Sequence, residues 1–204
     1  MIQISPGIKG LIFDCDGTLI DNMHLHLLSW QKAFRDKGCE FTKEFLDNSS
    51  GMTLDETVAL YNEINGTSLD SNEIVELKDL AFDELVKDAK PVEEICSIVI
   101  NNFKKLPMAV VSGSRRSKVD HSLEITQLID LFDIVLTADD PFPGKPDSAL
   151  FLEAAKRLGV EPEKCLVFED GLSGIIGAKK AGMKIIDVNE IVEKQRKKYS
   201  ELGL

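Results

Sequence analysis

The chain has 204 residues, with 24 Lys and Arg against 35 Asp and Glu, a formal net charge of −11. At 43% hydrophobic and 29% charged it is too apolar for intrinsic disorder, and its length suits one domain, or one domain carrying an insert, with a core that needs no disulfide or structural metal. The acidic balance argues against nucleic acid or an anionic membrane as a partner, because both need clustered Lys and Arg.

Taken in chain order, Met1 to Gly10 holds one Lys and no long apolar stretch, unlike a signal peptide. The first expected strand is Gly10–Phe13. It runs into Phe13-Asp14-Cys15-Asp16-Gly17-Thr18, two carboxylates two residues apart, a glycine for a tight turn and a hydroxyl. Carboxylates so placed can approach one site, but they repel unless a cation or proton separates them. Taken alone, the same residues also suit a solvated turn. From Asn22 to Lys90 the pattern is helical, with Trp30, Phe34, Phe41, Phe45, Val58, Tyr61, Ile64, Ile74, Leu77, Leu80 and Leu85 at steps of three, four or their multiples. Gly38, Asn48–Gly51 and Asn65–Asp70 read as turns between helices. This stretch has 7 Lys and Arg and 14 Asp and Glu, so it carries −7 of the −11. It reads as a helical insert after the first strand.

The second expected strand, Met108–Val111, leads into Ser112-Gly113-Ser114. Small residues between a strand and the helix expected at Lys118–Leu128 expose backbone N–H groups and hydroxyls, which suits an anion as well as it suits an ordinary helix cap. A third strand, Ile134–Leu136, precedes Gly144-Lys145-Pro146-Asp147, where Asp147 can cap the helix expected at Ser148–Leu158 and Lys145 is either a site cation or a solvated loop lysine. The fourth strand, Leu166–Phe168, ends in Glu169-Asp170-Gly171 before a helix at Ser173–Ala181. A fifth strand, Lys184–Val188, and a helical Asn189–Leu204 follow. Strands alternating with helices imply an α/β fold, a parallel Rossmann-like sheet with helices on both faces and ligands at the carboxyl ends of the strands. Each motif falls at such an end. Together, several acids, one Lys and one Ser make a hard-cation site beside an anion site, and oxygen ligands suit Mg²⁺ rather than Zn²⁺. These are the parts that phosphoryl transfer needs.

The set DxDGT, Ser after the second strand, Lys-Pro and Glu-Asp resembles the haloacid dehalogenase superfamily. The helical insert, and the run FEDGLSGIIGAKKAGM from Phe168 to Met183, are similar to the β-phosphoglucomutase-like subgroup. The second half is most similar to the fructose-1-phosphate phosphatases within it. The resemblance implies an α/β core of residues 1–21 and 91–204 with a small helical cap of residues 22–90. It implies that Asp14 is the nucleophile, Asp16 the general acid and base, and Mg²⁺ the cofactor, held by Asp14, the Asp16 carbonyl and Asp170, with Glu169 a further metal residue either at the ion or just behind its ligands. Ser112, the Gly113 amide, Lys145 and the Thr18 hydroxyl would face the phosphoryl group. His26, Arg115 and Arg116 are candidate substrate contacts, with packing or solvated surface as their other readings. The cap Arg of the mutases aligns with Leu54, within Ser50-Gly51-Met52-Thr53-Leu54, and Lys78 lies near but out of register with their cap Lys. Both points favour a phosphatase of small phosphorylated metabolites, such as sugar or polyol phosphates, over a hexose-phosphate mutase. A non-catalytic module on the same fold would have lost Asp14, Asp16 or Lys145.

Four cysteines, at 15, 39, 96 and 165, form no CxxC pair and no zinc spacing. They suit a reducing cytoplasm, and Cys15 is expected to pack away from the two acids beside it. No apolar run approaches the ~20 residues of a membrane span, and a monomer is the default expectation.

Overall fold

The computed structural model describes residues 2–49 and 52–202. The chain divides into two compact units, Met1–Asp21 with Lys90–Leu204, and Asn22–Ala89. In the first unit β1 (Gly10–Phe13), β4 (Met108–Val111), β5 (Ile134–Leu136), β6 (Cys165–Glu169) and β7 (Lys184–Asp187) form one sheet in the order β5-β4-β1-β6-β7. Every pair in it is parallel. β1, β4 and β6 are buried along their whole length, as strands covered on both faces must be, and this is why β1, β4 and β6 up to Phe168 read as apolar runs. Two short strands, β2 (Ile20–Asp21) and β3 (Lys90–Pro91), pair antiparallel apart from the main sheet.

The helices of this unit are α5 (Glu93–Asn102), α6 (Arg116–Ile125), α7 (Ala149–Leu158), α8 (Leu172–Lys180) and α9 (Asn189–Leu202). Period two along the strands sends Ile12, Ala109, Val111 and Val167 to one face, where they pack with Leu150, Phe151, Ala154 and Ala155 of α7 and Ala178 of α8. On the other face Phe13 and Phe168, paired in register, stack with ring centroids 4.8 Å apart. Right-handed crossovers explain the arrangement. The chain moves one way from β4 to β5 through α6, and the opposite way from β5 through α7 to β6 and α8 to β7, so α6 belongs to the face opposite α7 and α8. The direction reverses at β1, and the crevice at such a reversal, at the carboxyl ends of the strands, is where ligands bind in open α/β sheets.

The second unit holds α1 (Met23–Arg35), α2 (Lys43–Asn48), α3 (Leu54–Asn65) and α4 (Ser71–Leu85), followed by a 3₁₀ turn at Val86–Asp88. Trp30, Phe34, Phe41, Val58, Tyr61 and Ile74 form its core. The ring centroids of Phe34 and Tyr61 lie 4.4 Å apart, and those of Trp30 and Phe41 5.3 Å. Thr53 and Glu56 close a reciprocal capping box at the start of α3. Two residues of the helical pattern depart from it. Ile64 is 64% exposed and Leu80 59% exposed, because each lies off the stripe that its helix buries.

Two other differences from the sequence pattern have local causes. The helix expected at Lys118–Leu128 starts two residues earlier and ends at Ile125, since Gln127 takes a positive φ of 58°. α5 has no counterpart in the sequence reading. Its buried Ile95, Cys96, Ile98 and Val99 are mostly β-branched, a composition that weakens a helical signal. Of the turn expected at Asn48–Gly51, Ser50 and Gly51 lie outside the described residues, as do the first two positions of the stretch aligned with the mutases.

Candidate active site

Each motif of the first unit lands at the carboxyl edge of the sheet. Asp14 follows β1, Ser112 follows β4, and Glu169 ends β6. Adjacent parallel strands carry Asp14 and Glu169 to neighbouring positions, and the Asp14 N–H donates to the Phe168 carbonyl at 2.9 Å. Lys145 reaches in from the loop between β5 and α7. Its ammonium donates to Asp14 Oδ1 at 2.6 Å and to Glu169 Oε2 at 2.7 Å, and all three side chains are buried. The solvated-loop reading of Lys145 is thereby excluded.

Asp14, Glu169 and Asp170 each offer a carboxylate oxygen, and the three oxygens lie within 4.8 Å of one another. Three carboxylates and one ammonium leave a formal −2 in a buried place. Burial first, and then the Glu169 charge, raise the pKa of Asp14 well above the ordinary carboxylate range, although Lys145 opposes this. The same two causes push Asp170 up to about 7. For Lys145 burial acts to lower the pKa, but the Asp14 and Glu169 charges outweigh it and raise the value. An all-oxygen donor set with excess negative charge fits a hard divalent cation such as Mg²⁺.

The supports are local. Glu169 Oε1 accepts the Gly171 N–H at 3.0 Å. The Thr18 hydroxyl, expected on the phosphate side, is fully buried and donates to Asp170 Oδ1 at 3.1 Å. It thus orients a carboxylate. Gly17 has a φ of +86°, and a Cβ there would lie 2.2 Å from Asp170 Oδ2. A Cβ on Gly174 would lie 2.0 Å from Glu169 Oε2. Asn189 Nδ2 donates to the Asp170 carbonyl at 2.8 Å. Asp147 caps α7 through the Ala149 N–H at 2.8 Å.

Asp16 is separate from the three clustered acids. Its Oδ2 accepts from the Ser114 hydroxyl at 2.5 Å, and the Ser114 N–H donates to Ser112 Oγ at 3.0 Å. Ser112 is buried, while Gly113 is exposed at the loop tip. Cys15 is fully buried, and burial followed by the Asp16 and Asp14 charges raises its pKa well above the usual thiol value, as suits a packing residue. Arg115 and Arg116 are exposed at the start of α6. The Arg116 guanidinium pairs with Asp120 at 2.7 Å. His26 belongs to the second unit, where its ring stacks on Phe82 with centroids 4.2 Å apart. The structure thus gathers Asp14, Lys145, Glu169, Asp170 and Thr18 in one cluster, with Asp16 and Ser112 joined through Ser114. The local sequence pattern gives Ser114 no role of its own and carries no signal for Asn189 as a partner of the acid loop, because only the turn after β7 brings Asn189 there.

Residues 11–188 match the family model of haloacid dehalogenase-like hydrolases, and the chain belongs to that family. It is 31% identical to the fructose-1-phosphate phosphatase of Escherichia coli over 88% of this chain and 95% of that protein. It is 26% identical to the β-phosphoglucomutase of Bacillus subtilis over 90% of this chain and 84% of that one. Among solved structures, a hydrolase from Pseudomonas syringae superposes with a TM-score of 0.78 at 21% identity, over 91% of this chain and 90% of that one, a likeness of fold. The expected α/β fold and hydrolase class are both met.

Proposed function

We propose that this chain is a Mg²⁺-dependent phosphatase of small phosphomonoesters, sugar or polyol phosphates, acting through an aspartyl-phosphate at Asp14. The observation that carries the reading is the buried Lys145 ammonium bridging Asp14 and Glu169 beside Asp170. Lys145 opposes the rise that burial and Glu169 impose on the Asp14 pKa, and so favours the ionised carboxylate that a nucleophile requires. Asp14, Glu169 and Asp170 would hold the ion, which when bound supplies positive charge to the phosphoryl oxygens.

The residues divide the work as follows. An Asp14 oxygen attacks phosphorus while the bond from phosphorus to the ester oxygen breaks. Asp16 gives the departing alkoxide its proton and then takes one from the attacking water, whose oxygen displaces the Asp14 carboxylate. The Ser112 hydroxyl and Gly113 N–H, with Lys145, bind the phosphoryl group. In this reading Asn22–Ala89 is the cap, whose part in the reaction is to exclude water.

Purified protein with Mg²⁺ is expected to release phosphate from members of a sugar- and polyol-phosphate panel. Asp14→Asn and treatment with EDTA are each expected to abolish release. Turnover by Asp14→Asn equal to that of the native chain would reject the mechanism. The similarity to a β-phosphoglucomutase favours a second reading. It predicts conversion of β-glucose 1-phosphate to glucose 6-phosphate when a bisphosphate primer is present, whereas formation of free phosphate and sugar alone selects the phosphatase.

A further inference from the structure

Two backbone crossings join the units, Asp21 to Asn22 and Ala89 to Lys90. On the side of the first unit each crossing is rooted in a two-residue strand, with Ile20 opposite Pro91 and Asp21 opposite Lys90. A ladder this short is marginal by itself. α9 supplies what it lacks. The Arg196 guanidinium forks onto the Asp21 carboxylate, with Nε 2.9 Å from Oδ2 and Nη2 donating to Oδ1. The Asp21 side chain is 9% exposed against 47% for Arg196. The neighbouring Gln195 is buried and grips the other crossing. Its Nε2 donates to the Pro91 carbonyl at 2.8 Å, and its Oε1 accepts the Glu93 N–H at 2.8 Å. That N–H is among the first of α5, which has no side-chain cap of its own, so Gln195 fills a need that a helix start always leaves. One turn on, the Tyr199 hydroxyl donates to Glu93 at 2.8 Å, and the Lys90 ammonium lies 4.6 Å from the Tyr199 ring centroid. Residues 195, 196 and 199 share one helix face, and that face ties down both crossings at once.

We propose that α9 is a strut fixing the roots of both connections between the units, and that Arg196 and Gln195 are positioning residues for the reaction at Asp14. They act through Asp21 and through Pro91 and Glu93. With the roots held, torsional freedom is confined to the chain beyond Asp21 and before Lys90. Loosening a root dilutes the arrangement that binds substrate, and apparent affinity falls by that fraction while the chemistry of the bound complex is kept. The positioning role rests on the phosphatase reading, whereas the strut does not.

The test is hydrogen exchange on the full chain, with steady-state kinetics on the same preparations. In Arg196→Ala the amides of residues 19–21 and 90, 92 and 93 are expected to exchange about fivefold faster than in the native chain. KM is expected to rise while kcat stays within about twofold. Arg196→Lys should recover part of both effects. Arg157→Ala, which removes the surface pair of Arg157 with Glu153 on α7, should produce neither. If Arg196→Ala does not fold, Gln195→Met, which keeps the side-chain length and loses both hydrogen bonds, provides the same readings. Exchange at the crossings that is unchanged, or that rises only in step with the whole molecule, overturns the strut. Faster local exchange with an unchanged KM overturns the positioning role. If no preparation, native chain included, releases phosphate, the phosphatase reading fails and exchange alone decides the strut.

Discussion

One glycine and one lysine show how closely the site is built. Gly17 combines a left-handed backbone with a Cα that faces the Asp170 carboxylate, and a methyl group there meets both strain and a clash. Gly17→Ala is expected to cost about 1–3 kcal/mol of stability, read from denaturant midpoints, and to raise the Mg²⁺ concentration needed for half-activity. Lys145 is the cation that lets Asp14 and Glu169 share a buried place. Lys145→Ala removes it and leaves the acids uncompensated, so activity is expected to vanish and the metal-free chain to lose about 3–5 kcal/mol at pH 8. Titration supplies another check. Asp170 has a folded pKa of about 7 against an ordinary 3.8, so between those values the folded metal-free chain holds more protons than the unfolded one. Its stability should therefore be fullest below about pH 4 with respect to this group and be lost as pH rises through 7. Mg²⁺ favours the ionised carboxylate and should flatten that fall, and melting curves at several pH values, with EDTA or with Mg²⁺, measure the difference.

At the scale of elements, the strands owe their legibility to burial on both faces. The runs GLIF and MAVV became β1 and β4 with the bounds expected of them. Helix ends were less legible where backbone rather than side-chain chemistry terminates them, as at Gln127 with its positive φ. Where a cap motif exists, it carries a definite energy. Thr53→Ala opens the capping box of α3 and is expected to cost about 1 kcal/mol, read from denaturant unfolding. α5 escaped notice because its Ile and Val read equally well as strand. Its first turn is completed by Gln195, 102 residues along the chain from Glu93, a partner that no local pattern shows.

Across the whole molecule, each unit has its own apolar core, and the single Trp of the chain, Trp30, sits in that of the helical unit. Phe41→Ala empties the space beside Trp30 and is expected to destabilise that unit by about 3–5 kcal/mol. Trp30 fluorescence should then report unfolding at lower denaturant than far-UV circular dichroism does, since the sheet unit keeps its own core. The net charge of −11 also divides. Most of it belongs to the helical stretch as charged surface, while a few carboxylates are drawn into the buried cluster at the strand ends.

The sequence by itself determined the parallel sheet, the helical insert and the acids at the strand ends, because burial on both faces and the turn chemistry of Asp and Gly are written locally. Only the tertiary structure decided that Lys145 is a buried bridge between Asp14 and Glu169, that Thr18 serves Asp170, that Ser114 holds Asp16, and that α9 ties down the two crossings. Each of these joins residues from about 24 to 175 positions apart. Such contacts depend on the order of the strands and the path of the chain over them, and neither leaves a periodic trace in the residues themselves.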